Sequence, residues 1–468
     1  FSQFILPPDS LAQSYRLKNL GLNWVGAFDF SINYQRGFKQ NKNELLTLSY
    51  LYASTNNKQS NGISSTDRFN YTNPDYEQEN STGSKEQTFQ LDYVNPIHNL
   101  TLEAGAKAIL RKNTSDFAES NFDTTSGQYL PDTALTNQFN YRQYVYSLYN
   151  SYELKWLGWR FKGGLRIEKT VIRGDYTSSD TFKGQDYLNL IPAISIQRND
   201  EAMGIFSLGF TERIERPGLK QLNPFVDRSN PEFIVTGNPE LRPVVNHIFE
   251  LSYSRFAKIS LNAGLNFAFS NNTVQSITSL INGNVSQTTY SNIGQNQVAG
   301  INLNMNYHFT DNLDFNMNAQ LAHLWITGTY NSLIYKNDGT QGNFSTYLRY
   351  KFEHDFNMGA NVDYFSGNIY LQGKSSDFFL TSFVFIKDFF ERRATLSLTV
   401  NNPFKKYNYI SSFTKTPDFL QSTDTQNYYR NFRLAFNYKF GKLKGGIKSN
   451  KRSIKNDDVK GNGIGNEN

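Results

Sequence analysis

Phe432-Arg433-Leu434-Ala435-Phe436-Asn437-Tyr438-Lys439-Phe440 puts Phe, Leu, Phe, Tyr and Phe on one side of an extended strand and Arg, Ala, Asn and Lys on the other. Side chains alternate between the faces of a pleated strand, whereas a helix needs apolar residues at three- and four-residue spacing. The same period of two returns at Leu261, Ala263, Leu265, Phe267 and Phe269, at Ile301, Leu303, Met305 and Tyr307, and at Leu396, Leu398 and Val400. The chain reads as all-β, one very large antiparallel sheet with an oily face and a wet face.

Composition separates a membrane barrel from a soluble sandwich. The 468 residues include 38 Phe, 29 Tyr and 4 Trp but no cysteine, and no apolar run is long enough for a membrane helix. Many aromatics in a chain that is polar on average are what result when one strand face meets lipid and the other meets water. A soluble reading would need several cores, since one core rarely grows past about 250 to 300 residues. No Pro- or Gly-rich linker divides this chain into such units.

Alternation and turn residues predict seventeen strands, near 22–36, 44–56, 85–95, 99–113, 137–153, 157–173, 187–198, 202–214, 244–256, 259–271, 297–308, 313–327, 343–354, 356–370, 377–388, 392–404 and 428–440. Short connections at 95–98, 197–200, 309–312, 353–355 and 388–391 alternate with mostly longer ones at 57–84, 114–136, 215–243, 272–296, 328–342 and 405–427, rich in Asn, Ser, Thr, Gly and Asp. Outer-membrane barrels have brief periplasmic turns and long extracellular loops, so strand 428–440 is expected to descend into the periplasm. Strand 22–36 then descends too. A closed antiparallel barrel needs an even count, so at least one ascending strand is expected before residue 1. Residues 1–20, with Pro7 and Pro8, would be the tail of an extracellular loop. The start at Phe1, without an initiator Met or a signal peptide, supports the expectation of a fragment.

The domain reading is a partial outer-membrane β-barrel over 1–441 and a flexible, basic periplasmic tail over 442–468. That tail holds seven Lys/Arg against three Asp/Glu, so it supplies four of the net +6 charges. It lacks the aromatic and fold context that nucleic-acid binding requires.

One stretch breaks the pattern, RPGLKQLNPFVDRSNPEFIVTGNPELRP from Arg216 to Pro243. Its five prolines exclude a continuous central strand, because each removes a ladder donor. Asn-Pro occurs three times, and Asn before Pro starts turns while Gly can take positive φ. An ordered loop is expected, structured by Pro217, Asn223, Pro224, Gly237, Asn238, Pro239 and Pro243. Loops on a rigid scaffold carry binding sites. Arg216, Lys220, Asp227, Arg228 and Arg242 are candidate polar contacts of a ligand vestibule, with Phe225 and Phe233 as aromatic platforms; the alternative is a loop that only stiffens the rim.

On the wet face, Glu103, Lys107 and Arg111 oppose Leu102, Ala106 and Leu110, and Arg160, Lys162, Arg166 and Glu168 oppose Trp159, Phe161, Leu165 and Ile167. A charge in lipid costs about 2 to 4 kcal/mol at the midplane, so these seven are expected to face the lumen. There they would salt-bridge to a plug or a neighbouring strand, or line a path that attracts acidic ligands. Tyr50, Tyr52, Tyr141, Tyr144, Tyr146, Trp156, Trp159, Tyr428, Tyr429, Tyr438 and Phe440 are candidates for aromatic girdles at the headgroup level. The five histidines make no H-x-x-x-H pair, and without cysteine no thiol chemistry is available. No enzyme activity, metal or cofactor is expected.

The pattern ERPGLKQLNPFVDRSNPEFIVTGNPELRPVVNHIFELSY, residues 215–253, resembles the TonB-dependent receptor-like outer-membrane β-barrel family of Bacteroidetes, as do segments 86–97, 102–117 and 436–461. That resemblance implies an N-terminal β-sandwich, a plug domain and a 22-stranded barrel, with five strands, the plug and the TonB box outside this sequence. It implies energised uptake of an unidentified ligand through a plugged barrel; the alternative is a non-transporting barrel that serves as scaffold or partner-binding subunit of a surface or secretion complex. Implied partners are outer-membrane lipid and lipopolysaccharide, the TonB energising complex through the N-terminal part, and a surface lipoprotein or secretion-complex subunit, with no nucleic acid.

Overall fold

Each of the seventeen expected strands is present in the computed structural model, which describes residues 2–6, 10–39, 41, 43–176, 184–281, 285–441, 454, 456, 458 and 459. They are β1 Ser10–Gly37, β2 Leu45–Phe69, β3 Tyr76–Ile97, β4 Leu100–Asp123, β5 Gln128–Trp156 and β6 Trp159–Tyr176. Then come β7 Gln185–Asp200, β8 Gly204–Glu215, β9 Val244–Phe256, β10 Ile259–Ile281, β11 Val285–Thr310 and β12 Leu313–Tyr330. The last are β13 Leu333–Lys351, β14 Phe356–Phe365, β15 Phe378–Phe389, β16 Ala394–Asn401 and β17 Asn431–Tyr438. Each pairs antiparallel with the next along the chain, so the sheet is a meander. Among the described residues no pairing joins β1 to β17, and no helix is long and apolar enough to cross a membrane.

Alternation decides which face each side chain takes. On β5, Val145 and Ser147 are buried while Tyr146 and Leu148 stand exposed. On β17, Leu434 is 69% exposed and flanked by exposed Phe432 and Phe436, so these apolar groups cover no second sheet. An apolar side chain of this size gains about 1.5 to 3 kcal/mol on leaving water, so a whole face of them needs lipid.

The expected long loops are mostly not loops. β2 and β3 stay in register from Leu45↔Val94 to Ile63↔Tyr76, leaving 70–75 as the connection where 57–84 was expected. Expected loop 114–136 shrinks to 124–127, 272–296 lies largely within β10 and β11, and 328–342 shrinks to the positive-φ turn Asn331-Ser332. Above the apolar belt both strand faces are polar, which erases the period of two, but backbone N–H and C=O groups still need partners and the hairpin supplies them. Residues 10–21 likewise extend β1 rather than forming a loop tail, pairing with β2 from Ser14 on and with Ser2–Leu6 over 10–15, while Pro7 and Pro8 lie outside the described residues. β14 and β16 end at Phe365 and Asn401, short of the expected 370 and 404. Tyr407–Lys415 and Leu420–Tyr428 form a hairpin that joins Ile369–Tyr370 and Gly373–Ser375 in a separate four-stranded sheet.

Inside the large sheet sit two apolar clusters, Phe139, Tyr141, Ile172, Leu222 and Leu241, and Ile277, Leu324, Ile326 and Leu371. Tyr141, expected at a lipid girdle, belongs to the first: its odd position on β5 turns it inward.

Candidate functional site

Segment 216–243 leaves the end of β8 and folds against the inner wall. It contains a single helical turn, α1 Leu219–Leu222, and the short strands Val226–Asp227 and Phe233–Thr236, the latter parallel to β11. All three Asn-Pro pairs start turns by one device. Proline offers no N–H, so the Asn side-chain oxygen accepts from the residue after it: Asn223 from Phe225 at 3.3 Å, Asn230 from Glu232 at 3.2 Å, Asn238 from Glu240 at 2.9 Å. Gly237 serves a purpose other than the expected positive φ. It lies so close to the chain before it that a Cβ would sit 2.3 Å from the Asn223 carbonyl oxygen. Pro217 and Pro243 close the two ends next to the pair Glu215↔Val244, and the Pro224 carbonyl accepts from Thr236 at 3.1 Å.

The segment reaches across the wall through side chains. Phe225 packs on Phe117 with ring centroids 4.1 Å apart, Asn223 donates to Ser115 at 3.0 Å, and Arg228 meets buried Glu119 at 3.0 Å. Tyr76 donates to the Arg228 carbonyl, Tyr15 to Asn230 at 2.7 Å, and Asn238 to the Tyr290 carbonyl at 2.9 Å. Asp227 caps its own turn by accepting from Ser229 at 2.9 Å. Buried Glu232 has its carboxyl pushed up by desolvation, against the pull of a hydrogen bond from Gln13 and the charge of Arg228.

At the root of the segment lies a buried charge network. Arg216, 1% exposed, pairs with Glu168, with Asp458 at 2.6 Å and with Thr170 at 3.0 Å. Arg111 holds the same Asp458 carboxylate at 2.8 and 2.6 Å and also pairs with Glu86 and Gln143. Asn456 donates to Glu86 at 2.6 Å, and Arg216 pairs with Val459 in a parallel bridge. Burial pushes the Asp458 carboxyl up, but hydrogen bonds and charge from Arg111, then Arg216, more than offset it and hold the group well below the usual carboxylate range. Asn456, Asp458 and Val459 are therefore docked inside the sheet, contrary to the expected free extension; Arg111, Arg166, Arg216 and Lys107 share only Glu86 and Glu168 on the wall, and Asp458 adds the further carboxylate. Most of 442–468 lies outside the described residues.

The lumen-facing candidates share the inner face. Lys162 meets Glu103 at 3.0 Å, Arg160 meets Glu153 at 3.5 Å, and Arg166 meets Glu168 at 3.5 Å. Lys107, Arg166, Glu168 and Asp458 line a cavity of about 530 Å³. The vestibule candidates divide. Lys220, Phe225 and Asp227 come together with Asn57, Gln59, Asn80 and Thr82 around a second cavity of about 590 Å³, a size suited to small ligands. Arg216 has no surface to offer there, Arg228 is committed to Glu119, and exposed Phe233 and Arg242 lie outside this lining. Sequence reading missed Glu86, Glu119 and Asp458. The inward parity of β3 and β4 marks the first two, but nothing marks Asp458. Among the described residues no group of three or more His, Asp or Glu could hold a metal ion.

The sequence model described as Outer membrane protein beta-barrel family matches residues 36–438. Among solved structures, the chain is similar to the siderophore receptor PiuA from Acinetobacter baumannii, at 15% identity and TM-score 0.60, over 90% of this chain and 65% of that one. It is similar to the copper transporter OprC, at 13% identity and TM-score 0.58, over 92% and 80%. It is also similar to the ferric citrate transporter FecA in the unliganded form, at 13% identity and TM-score 0.57, over 88% and 61%. At such identities the likeness is one of fold, and this chain spans under two thirds of the length of PiuA and FecA. No curated protein matches the sequence.

Proposed function

The chain belongs to the Outer membrane protein beta-barrel family and resides in the outer membrane, and we propose that it forms the barrel of a TonB-dependent receptor that takes up a ligand through an obstructed lumen. The observation that supports this reading is the infolded segment 216–243, which is tied to the face opposite the exposed apolar one and lines a cavity with Lys220, Phe225 and Asp227. A pore for free diffusion has no use for a segment so firmly tied across its interior. The amides and hydroxyls of that cavity suit a ligand rich in hydrogen-bonding groups.

Two sheet edges facing hydrocarbon would leave backbone groups unsatisfied at several kcal/mol each, which supports closure of β1 and β17 through further strands into a 22-stranded barrel. The hairpin arms point to the cell exterior and the short turns to the periplasm, where the energising TonB complex would act through an N-terminal part. The 215–253 pattern supports a Bacteroidetes affiliation. Outer-membrane lipid surrounds the belt.

Growth of a deletion strain on panels of ferric chelates, oligosaccharides and peptides tests the reading. The intact protein should restore growth on some nutrient only while TonB is present, and Lys220→Ala with Asp227→Ala should slow it. Restoration independent of TonB would instead support the scaffold reading.

A further inference from the structure

We propose that a window in the wall between β7 and β8 is a lateral binding site for a long-chain carboxylate, with the head on Arg213 inside and the chain reaching out toward the membrane. The window begins at a proline. The Asn199 N–H donates to the Gly158 carbonyl at 3.0 Å, so odd residues of β7 turn their backbone groups toward β6 and even ones toward β8. Pro192 is even, and the N–H it lacks is one that β8 would have received. The pairing agrees: the ladder between β6 and β7 runs unbroken through Leu165↔Pro192 to Ile172↔Gln185, whereas the ladder between β7 and β8 stops at Ala193↔Thr211. β8 nevertheless continues to Glu215, paired on its other side with β9. At Arg216 the next N–H donates to the Asp458 carbonyl at 2.8 Å, so the tail takes the edge that β7 has left. Between these limits Glu212 to Glu215, at about 3.3 Å per residue, bound an opening about 13 Å tall.

Leu190 and Ile214 turn backbone groups into this opening without a ladder partner, and the Glu212 carbonyl meets the Thr211 hydroxyl at 3.4 Å. Unpaired backbone is tolerated at membrane depth only where protein buries it or a wet cavity adjoins it. Such a cavity is present. Ile191 and Ala193 on one side of the seam and Thr211 to Ile214 on the other line the space of about 530 Å³ that also holds Lys107 and Arg166. Ile214 has the outward parity of exposed Phe206 and Leu208, yet it is buried and shares this lining with inward Ile109 and Ile191. Side-chain packing closes the seam where hydrogen bonds do not.

Its surroundings name the ligand. Leu188, Leu190 and Ile194 stand exposed along the β7 side, and the pairs Lys169–Asp186 at 3.8 Å and His247–Glu212 at 3.0 Å flank the opening. The window therefore stands where the apolar belt gives way to polar groups, and a ligand can leave its chain in hydrocarbon while its head enters. Arg213 sets the charge of that head. It lines the cavity, is exposed, and its guanidinium has neither hydrogen bond nor ion pair among the described residues. The carboxylates around it are engaged: Asp458 by Arg111 and Arg216, Glu168 by Arg216 and Ser147, Glu212 by His247, and Asp92 by Tyr149. An anionic head supplies the partner that this cation lacks.

The site depends on the oily face meeting the membrane but not on transport. The test uses the protein in phosphatidylcholine bilayers with palmitate that carries a diazirine at its chain end, and adducts are located by mass spectrometry after illumination. Wild type should be labelled saturably around Leu190 and Ile214, with competition from unlabelled palmitate but not from acetate or hexadecyltrimethylammonium. Arg213→Ala should lower the palmitate affinity about tenfold or more, the loss of one charge-assisted contact. Pro192→Ala, which restores the missing donor, should lower labelling with Arg213 in place, and Lys169→Ala on the outward face should leave it unchanged. Heat-modifiable gel mobility should show the three variants folded. Undiminished labelling in Arg213→Ala overturns the site, as does competition by acetate or by the ammonium, equal labelling by a phosphatidylglycerol probe, or an equal loss in Lys169→Ala. Should Arg213→Ala fail to fold, Pro192→Ala decides alone. Loss of nutrient uptake with palmitate labelling intact would count against the transport reading and leave this site standing.

Discussion

Strand β5 and segment 216–243 touch each other through Tyr141, Leu222 and Leu241, yet they are held in opposite ways. Below its extended arm, the outward face of β5 rests on lipid, its inward face on neighbouring strands, and its place follows from a period of two. The segment has no period. It stays put because many of its polar groups find particular partners, Arg216 among carboxylates and three asparagines within their own turns. Where lipid is the solvent, a repeating pattern suffices; where the chain folds into a lumen, individual contacts must do it.

Substitutions can break this contrast, beginning with the largest effect. Arg216→Ala takes the shared cation from Glu168 and Asp458, leaving Glu168 with Ser147 and the longer Arg166 contact and Asp458 with Arg111, and removing one partner of a buried pair typically costs about 3 to 5 kcal/mol. Limited proteolysis should find 216–243 and the tail near Asp458 newly cleavable while heat-modifiable mobility stays normal; unchanged protection would show the network to be incidental. Leu434→Arg acts on the other region. A charge facing lipid costs about 2 to 4 kcal/mol at the midplane, so this change should hinder membrane assembly, whereas Lys107→Ala should leave it largely intact. Equal mobility changes in the two would contradict the facing assignment.

Gly237→Ala places a methyl against the Asn223 backbone, and overpacking of this kind costs about 1 to 3 kcal/mol. Proteolysis should show segment 216–243 loosened and the barrel strands unaffected. The smallest effect concerns pH. Because the Glu232 carboxyl is raised in the folded protein, its contribution is full below the ordinary carboxylate range and fades as pH rises through its raised value. Asp458 has the opposite sign: its contribution is present above the ordinary range and is lost only as pH falls through its depressed value. Between pH 7 and pH 5, then, protection near Glu232 should rise slightly and that near Asp458 should hold, and Glu232→Gln should abolish the first change.

The same contrast explains what was legible in the sequence. All seventeen strands were, because lipid-facing residues such as Leu261, Leu265 and Phe269 repeat. So were the three Asn-Pro turns, whose chemistry is local. The zipped arms were hidden because Ser, Thr and Asn on both faces leave no period, although their backbones pair as fully as those of the belt. Tyr141 was misplaced since aromatic identity was weighed above its odd position on β5. Gly237 was recognised as special for the wrong reason, since close approach of a distant backbone cannot be read locally. The docking of Asp458 beside Arg111 joins residues far apart in sequence and left no trace in either neighbourhood.

Because the chain contains no cysteine, single cysteines at 144 to 149 on β5 can each carry a spin label whose collisions with oxygen and with a water-soluble nickel complex are measured in bilayers. Tyr146→Cys and Leu148→Cys should report high oxygen and low nickel contact, with Val145→Cys and Ser147→Cys shielded from lipid. Uniform values along the strand, or nickel contact at position 148, would contradict a sheet whose oily face meets the membrane.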